Sequence, residues 1–323
     1  MEDYEASYFK EVFSEKRLKE CMKELEEIWN KKEGDENLMK NVAYYNRGVA
    51  HSHSGEYEKA ISDYNEAIRI NPEDALAYYN RGLIYDNSGE YEKAISDYNE
   101  AIRINPEYAD AYLGRGLIYD NSGEYEKAIS DYNEAIRINP EYADVWLELG
   151  QVYECKENLE KAKECFERAL EIDPENADGW FWLGYLHSER LFQYTDAIHF
   201  YESALQSNSE EVTYRAGLAE AHFCSENFDN SLALAQDILS KAKDPFVQLN
   251  MQFLVICNLF FLNRIQDAMS QIDEHQAIVR NLPKEKKNDW TYSGIKHFIG
   301  LGTISERHRN ILFSLIETLE NLR

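Results

Sequence analysis

Positive charge is scarce in this sequence. Its 323 residues carry 34 Lys and Arg against 60 Asp and Glu, a formal net charge of −26 at pH 7. The imbalance is uneven: residues 241–323 hold 11 basic against 9 acidic side chains, which leaves 23 against 51 in residues 1–240. So acidic a surface repels a phosphate backbone, so nucleic acid is not an expected partner, whereas a neutral or basic protein or peptide is. Cysteine is also sparse. Five residues with no CxxC pair fit a reduced, cytoplasmic protein rather than a disulfide scaffold. The opening segment MEDYEASYFK is acidic and lacks an apolar core, so no signal peptide is expected.

Motifs that carry chemistry are missing too. There is no G-x-x-x-x-G-K phosphate loop and no H-E-x-x-H. Gly300-Leu301-Gly302 follows a helical pattern, not a strand, and reads as a loop. His51 and His53 lie two apart, and on a helix such residues point away from each other, so they do not make a metal pair. The remaining histidines are scattered. Cys155 and Cys165 have no activating histidine nearby in the sequence. Carboxylate pairs are too common in so acidic a chain to mark an acid–base site. No catalytic, cofactor or metal site is expected, and the chain does not read as an enzyme. One run, residues 245–263 (PFVQLNMQFLVICNLFFLN), has no charge over 19 residues and brushes the length of a membrane span. Gln248, Asn250, Gln252, Asn258 and Asn263 are costly in lipid, and no second such run exists, so a buried helix is expected and no membrane partner.

What the sequence does contain is itself, copied. Residues 82–107 read GLIYDNSGEYEKAISDYNEAIRINPE, and the same letters return at 116–141, 34 residues later; much of the block already stands at 54–73. A fixed period of this size is the mark of a stacked repeat array. In the first half of each copy Tyr78, Arg81, Gly82 and Tyr85 recur at helical spacing, and Ser88-Gly89 breaks the helix. In the second half Tyr91, Ala94, Ile95, Tyr98, Ala101 and Ile102 share one face, and Asn105-Pro106 ends it. Gly82 and Ala94 let two helices approach closely, Ala101 meets the next repeat, and Tyr78, Tyr85, Tyr91 and Tyr98 are expected to fill the gaps between layers. One such hairpin cannot bury its apolar faces alone and must stack on copies of itself.

These residues resemble the tetratricopeptide repeat family. Its marks appear here as Tyr78, Arg81-Gly82, Tyr85, Ala94, Tyr98, Ala101 and Pro106, with Arg81 departing from the usual leucine. The resemblance implies an all-α solenoid, a right-handed superhelix of antiparallel helix pairs, with a concave groove that binds proteins or peptides. Repeats are read at 41–74, 75–108, 109–142, 143–176 and 177–211. The fifth has one extra residue in its turn, ERLFQYTD. Residues 212–279 form two degenerate helix pairs. Residues 1–40, with Phe13, Leu18, Met22, Leu25 and Trp29 in one stripe, are expected to be an N-terminal capping helix or helices. Residues 280–323 are expected to be C-terminal capping helices around a Lys-rich loop at 282–288, ending in the stripe Ile304, Ile311, Leu312, Leu315, Ile316, Leu319 and Leu322. That last helix can seal the solenoid or dock a partner or a second copy.

In the family, positions 2, 5, 6, 9, 12 and 13 of each repeat line the groove. On this sequence the resemblance places Tyr45, Asn46 and Val49 there in repeat one, and Tyr79, Asn80, Leu83, Asp86 and Asn87 in repeat two. Repeat three brings Leu113, Leu117, Asp120 and Asn121; repeat four brings Leu147 and Gln151; repeat five brings Phe181 and Tyr185. The result is an apolar floor with an acidic, amide-bearing edge. Asn46 and Asn80 could begin a ladder of hydrogen bonds to a peptide backbone, which Gly114 and Glu148 would stop. Chaperone adaptors of the family grip a C-terminal carboxylate with Lys, Asn and Arg; here only Asn46 and Asn80 match, while Tyr45, Asp110 and Gly114 hold the basic positions. The expected function is a protein–protein interaction scaffold. The alternative is a peptide-responsive regulatory receptor with a core of these repeats. Self-association, between the acidic first 240 residues and the near-neutral remainder, is a further expectation.

Overall fold

The computed structural model describes residues 36–280, 292–301 and 305–320, so the expected stripe from Phe13 to Trp29, the Lys-rich loop, Ile304 and Leu322 lie outside the described residues. The fold is all-α, with no strand among the described residues. Two compact units divide after Glu148.

The first unit contains α1 (Glu36–His53), α2 (Tyr57–Ile70), α3 (Ala75–Asn87), α4 (Tyr91–Ile104), α5 (Ala109–Asn121) and α6 (Tyr125–Ile138), followed by the start of α7 (Ala143–Cys155). They pack as successive antiparallel pairs, α1 with α2, α3 with α4 and α5 with α6, and each pair stacks on the next through α2–α3 and α4–α5. The first helices of neighbouring repeats also touch, α1 with α3 and α3 with α5. The turn inside each pair is set by a glycine: Gly89 takes φ +74°, a left-handed value open to glycine, while the Glu90 N–H closes on the Tyr85 carbonyl at 2.8 Å. Close approach within a pair explains Gly82 and Gly116. A Cβ on Gly82 would stand 2.9 Å from the Tyr98 ring, and one on Gly116 would stand 2.7 Å from the Tyr132 ring. Ala60, Ala67, Ala94, Ala101, Ala128 and Ala135 are fully buried. Tyr91 departs from expectation. It is 48% exposed, because the first residue of the second helix faces outward.

Arg81 takes the place of the family leucine because its guanidinium has its own partner. Its Nε and Nη2 donate to Asp97 at 2.7 and 2.6 Å, and Nη1 donates to Asn65 of the preceding repeat at 2.5 Å. Arg115 does the same with Asp131 and Asn99, and Arg47 holds Asp63.

The second unit contains the rest of α7, then α8 (Leu159–Ile172), α9 (Ala177–Tyr185), α10 (Tyr194–Ser207), α11 (Val212–Cys224), α12 (Phe228–Lys241), α13 (Pro245–Phe261), α14 (Ile265–Arg280), α15 (Ser293–Leu301) and α16 (Glu306–Glu320). Helix capping is local and polar: Asn176 accepts the Gly179 N–H at 2.9 Å, and Asp244 accepts that of Phe246 at 2.8 Å, with Pro245 in the first turn of α13. The uncharged run is α13, and its residues 249–260 are all buried. No helix among the described residues is long and apolar enough to cross a membrane.

The extra residue of repeat five is absorbed as a π-helical turn, Leu186–Arg190, after α9. It moves the left-handed position one residue along, onto Phe192 at φ +57°. A phenylalanine seldom adopts that backbone, and this one is held by stacking on His297 of α15, centroids 4.1 Å apart.

Candidate functional site

The first helices α1, α3 and α5 present the predicted lining of the first unit. Tyr45, Val49, Tyr79, Leu83, Leu113 and Leu117 are half-buried, so one edge of each is core and the other is open. Tyr45 and Val49 pack on Tyr64, Ala77 and Ile84; Tyr79 and Leu83 pack on Tyr98 and Ile118. Tyr79 also meets Tyr108 at 4.9 Å between ring centroids. Burial pushes the Tyr79 phenol up to about 12 and raises that of Tyr45.

Along the same face the polar residues differ in their freedom. Asn46, Asn87 and Asn121 are exposed. Asn80 is half-buried and its amide is engaged: Nδ2 donates to the Tyr45 hydroxyl at 3.0 Å and to the Leu76 carbonyl at 2.9 Å. Asn80 therefore braces α3 against α1 and keeps only its oxygen for a ladder. Asp86 and Asp120 are half-buried, and burial raises both carboxyls. Leu147 is 6% exposed, a packing residue with no surface for a ligand.

In the second unit Gln151 is half-buried. Phe181 and Tyr185 join an aromatic cluster: Phe181 stacks on Tyr214 at 5.2 Å, and Tyr185 meets the edge of Trp182 at 5.5 Å. Beyond them this inner face is filled by the chain itself. α15 packs on α11 and on the π-helical turn, and α16 packs on α13 and α15. Phe298 meets Phe223 at 5.2 Å, and Ile295, Ile299, Leu312, Leu315, Ile316 and Leu319 join one core with Ala216, Phe223, Cys224 and Leu254. Glu189, itself buried, accepts the Gly294 N–H at 3.1 Å through Oε2, and the Tyr194 hydroxyl donates to the Gly294 carbonyl at 3.3 Å. Phe192 and His297 were missed in the sequence; the extra residue of the turn was the available signal.

Among the described residues no group of three or more His, Cys, Asp or Glu could hold a metal. Burial pushes the Cys165 thiol up to about 12 and holds Cys224 and Cys257 well above their ordinary range, so these are poor nucleophiles. His51 is 2.6 Å from Glu56 and 3.7 Å from Asp63, contacts made inside one repeat.

Three family models match the chain. Two described as "Tetratricopeptide repeat" cover 75–108 with 143–176, and 97–130 with 165–199; one described as "TPR repeat" covers 53–89 and 121–154. No curated protein matches by sequence. Solved structures share the fold. A tetratricopeptide repeat protein from Parabacteroides merdae is 15% identical, with a TM-score of 0.57, over 86% of this chain and 99% of its own. The Pseudomonas aeruginosa protein pilF is 20% identical, with a TM-score of 0.56, over 62% of this chain and 91% of its own.

Proposed function

We propose that this chain, a tetratricopeptide repeat protein, is a non-enzymatic interaction scaffold that holds a peptide or helix of a partner protein on the inner face of its first unit. The observation that carries the reading is a contrast within the molecule. The inner face of α11 and α13 is covered by α15 and α16, whereas Tyr45, Val49, Tyr79, Leu83, Leu113 and Leu117 keep an open apolar edge. Apolar edges grouped on one face are what a partner covers. Large aromatic side chains fixed by their neighbours make good anchors, since little rotamer freedom is lost on binding.

The test is a pull-down from native lysate with mass spectrometry, comparing wild type with Leu83→Asp/Leu117→Asp. The expected result is a partner held by the wild type and lost by the folded double variant. Equal recovery by both would move the interface away from this face.

A further inference from the structure

Four carboxylates on inner-face positions of the repeats can be compared within this one chain. At position 12, repeats two, three and four carry Asp86, Asp120 and Glu154; at position 13, repeat five carries Glu189. Two of the four are satisfied by the chain. Glu154 is buried and has Arg190 Nε 3.0 Å from its Oε1. Glu189 is buried and accepts the Gly294 N–H at the start of α15. Each receives a donor from an element laid over it: a guanidinium in one case, a helix N-terminal amide in the other.

Asp86 and Asp120 receive neither. Both are half-buried, and among the described residues neither side chain has an ion pair or a hydrogen bond; burial is the one influence on each carboxyl. Beneath them stand Tyr98 and Tyr132, fully buried, with hydroxyls that have no partner. Burial raises both phenols. The Asp86 charge adds to the rise at Tyr98; Glu148 and then Asp120 add to it at Tyr132. The Tyr98 hydroxyl lies buried against α5, since a Cβ on Gly114 would stand 3.0 Å from it. A half-desolvated carboxylate is unfavourable unless a cation or a donor meets it.

The spacing narrows the occupant. α3 and α5 touch, which sets their axes about 10 Å apart. One metal ion cannot bridge that, because its ligands stand roughly 2–2.6 Å away. A peptide in the polyproline conformation rises about 3.1 Å per residue with three residues per turn, so side chains three apart face one way at roughly 9 Å.

We infer that the open inner face of the first unit, on the reading proposed above, takes a basic peptide in extended form, with Lys or Arg side chains three apart on Asp86 and Asp120. The apolar floor of Leu83, Leu113 and Leu117 receives the stems of those side chains.

The probe is a fluorescein-labelled peptide of repeated Lys-Pro-Ala triplets, set against the same peptide with Gln for Lys, and read by anisotropy on the full chain. The expected result is that wild type binds the Lys peptide about tenfold more tightly than the Gln peptide, with the advantage shrinking at high salt. Asp86→Asn/Asp120→Asn removes the advantage and leaves the Gln peptide unaffected. Glu58→Gln/Glu92→Gln, which removes two exposed carboxylates of α2 and α4, keeps it. Equal binding of the two peptides, or an advantage that survives Asp86→Asn/Asp120→Asn, overturns the inference. If both peptides bind alike and Leu83→Gln/Leu117→Gln releases both, the groove reading stands and the cation inference falls. If neither binds, the inference falls as well, and the groove reading is judged by the lysate experiment alone.

Discussion

Arg81 and Asp97 can be judged against the same chain's other repeats. Positions 7 and 23 hold Arg with Asp in repeats one to three, Leu149 with Cys165 in repeat four, and Leu183 with Phe200 in repeat five once its extra residue is allowed for. The two positions change together, from an ion pair to an apolar pair. Asp97 is 5% exposed, so removing its guanidinium leaves a buried charge, which costs about 3–5 kcal/mol. Arg81→Leu is therefore expected to lower stability by about that much. Arg81→Leu/Asp97→Cys, which installs the pair of repeat four, is expected to recover to within about 1–2 kcal/mol of wild type. Denaturant unfolding measures the totals, and amide exchange in α3 and α4 locates the effect, since repeat arrays need not unfold as one. A single variant no weaker than the double one would end this account. His275 offers a second test. It is buried, neither ring nitrogen has a partner, and burial pushes it down to about 4. The unfolded chain, with an ordinary histidine near 6.5, then binds more protons than the folded one between about pH 6.5 and 4. Stability is therefore full above that window and is lost as pH falls through it. His275→Leu should flatten the slope of stability against pH there; an unchanged slope would show that other groups control it.

Among the elements, α15 has the least intrinsic reason to form. It spans Ser293–Leu301, and an isolated helix of that length is marginal in water. Its order comes from Phe298, Ile295 and Ile299 in the core, from Glu189 on its first turn and from His297 on Phe192. Glu189→Ala leaves the buried Gly294 N–H without its acceptor, at a cost of about 1–3 kcal/mol. Exchange of the amides of α15 should accelerate while those of α3 to α6 stay as they were; uniform acceleration would mean that the contact is not local. The repeat helices were legible because an identical copy at 34 residues fixes both period and boundaries. The stripe Leu312, Leu315, Ile316 and Leu319 was legible as buried too. Its destination was not, because burial of apolar area is non-directional and a stripe says nothing of what it meets. The π-helical turn was half-legible: one surplus residue was visible, but not that Glu189 and Phe192 would use it to hold α15. At the candidate site the half-burial of Leu83, Leu113 and Leu117 is compatible with the expected apolar floor, whereas Leu147 and Asn80 could not be sorted. Their roles depend on which neighbour reaches them, and spacing within one helix does not carry that.

For the whole molecule, charge is the dominant feature. At −26, self-repulsion opposes the folded state, and added salt screens it, with a Debye length of about 8 Å at physiological ionic strength. The Arg–Asp pairs of the first unit act in the opposite sense, but Asp63, Asp97 and Asp131 are nearly inaccessible and are screened less. Repulsion should win, so the thermal midpoint is expected to rise between low and moderate salt; a fall would show that exposed pairs such as Lys59–Glu56 matter more than the net charge. Within that excess Asp86 and Asp120 stand apart, because burial raises both carboxyls and no hydrogen bond or ion pair among the described residues compensates. The sign follows: a carboxyl raised in the folded state disfavours folding when ionised, so its neutral amide counterpart is the more stable one. Asp86→Asn/Asp120→Asn is thus expected to raise the thermal midpoint of the free protein by about 2 °C or more while weakening its hold on a basic peptide. A residue kept for packing or solubility alone would lose stability or show no change. A midpoint that falls in the double variant would place these two carboxylates among the structural residues and leave the inner face of the first unit with its apolar floor alone to recognise a partner.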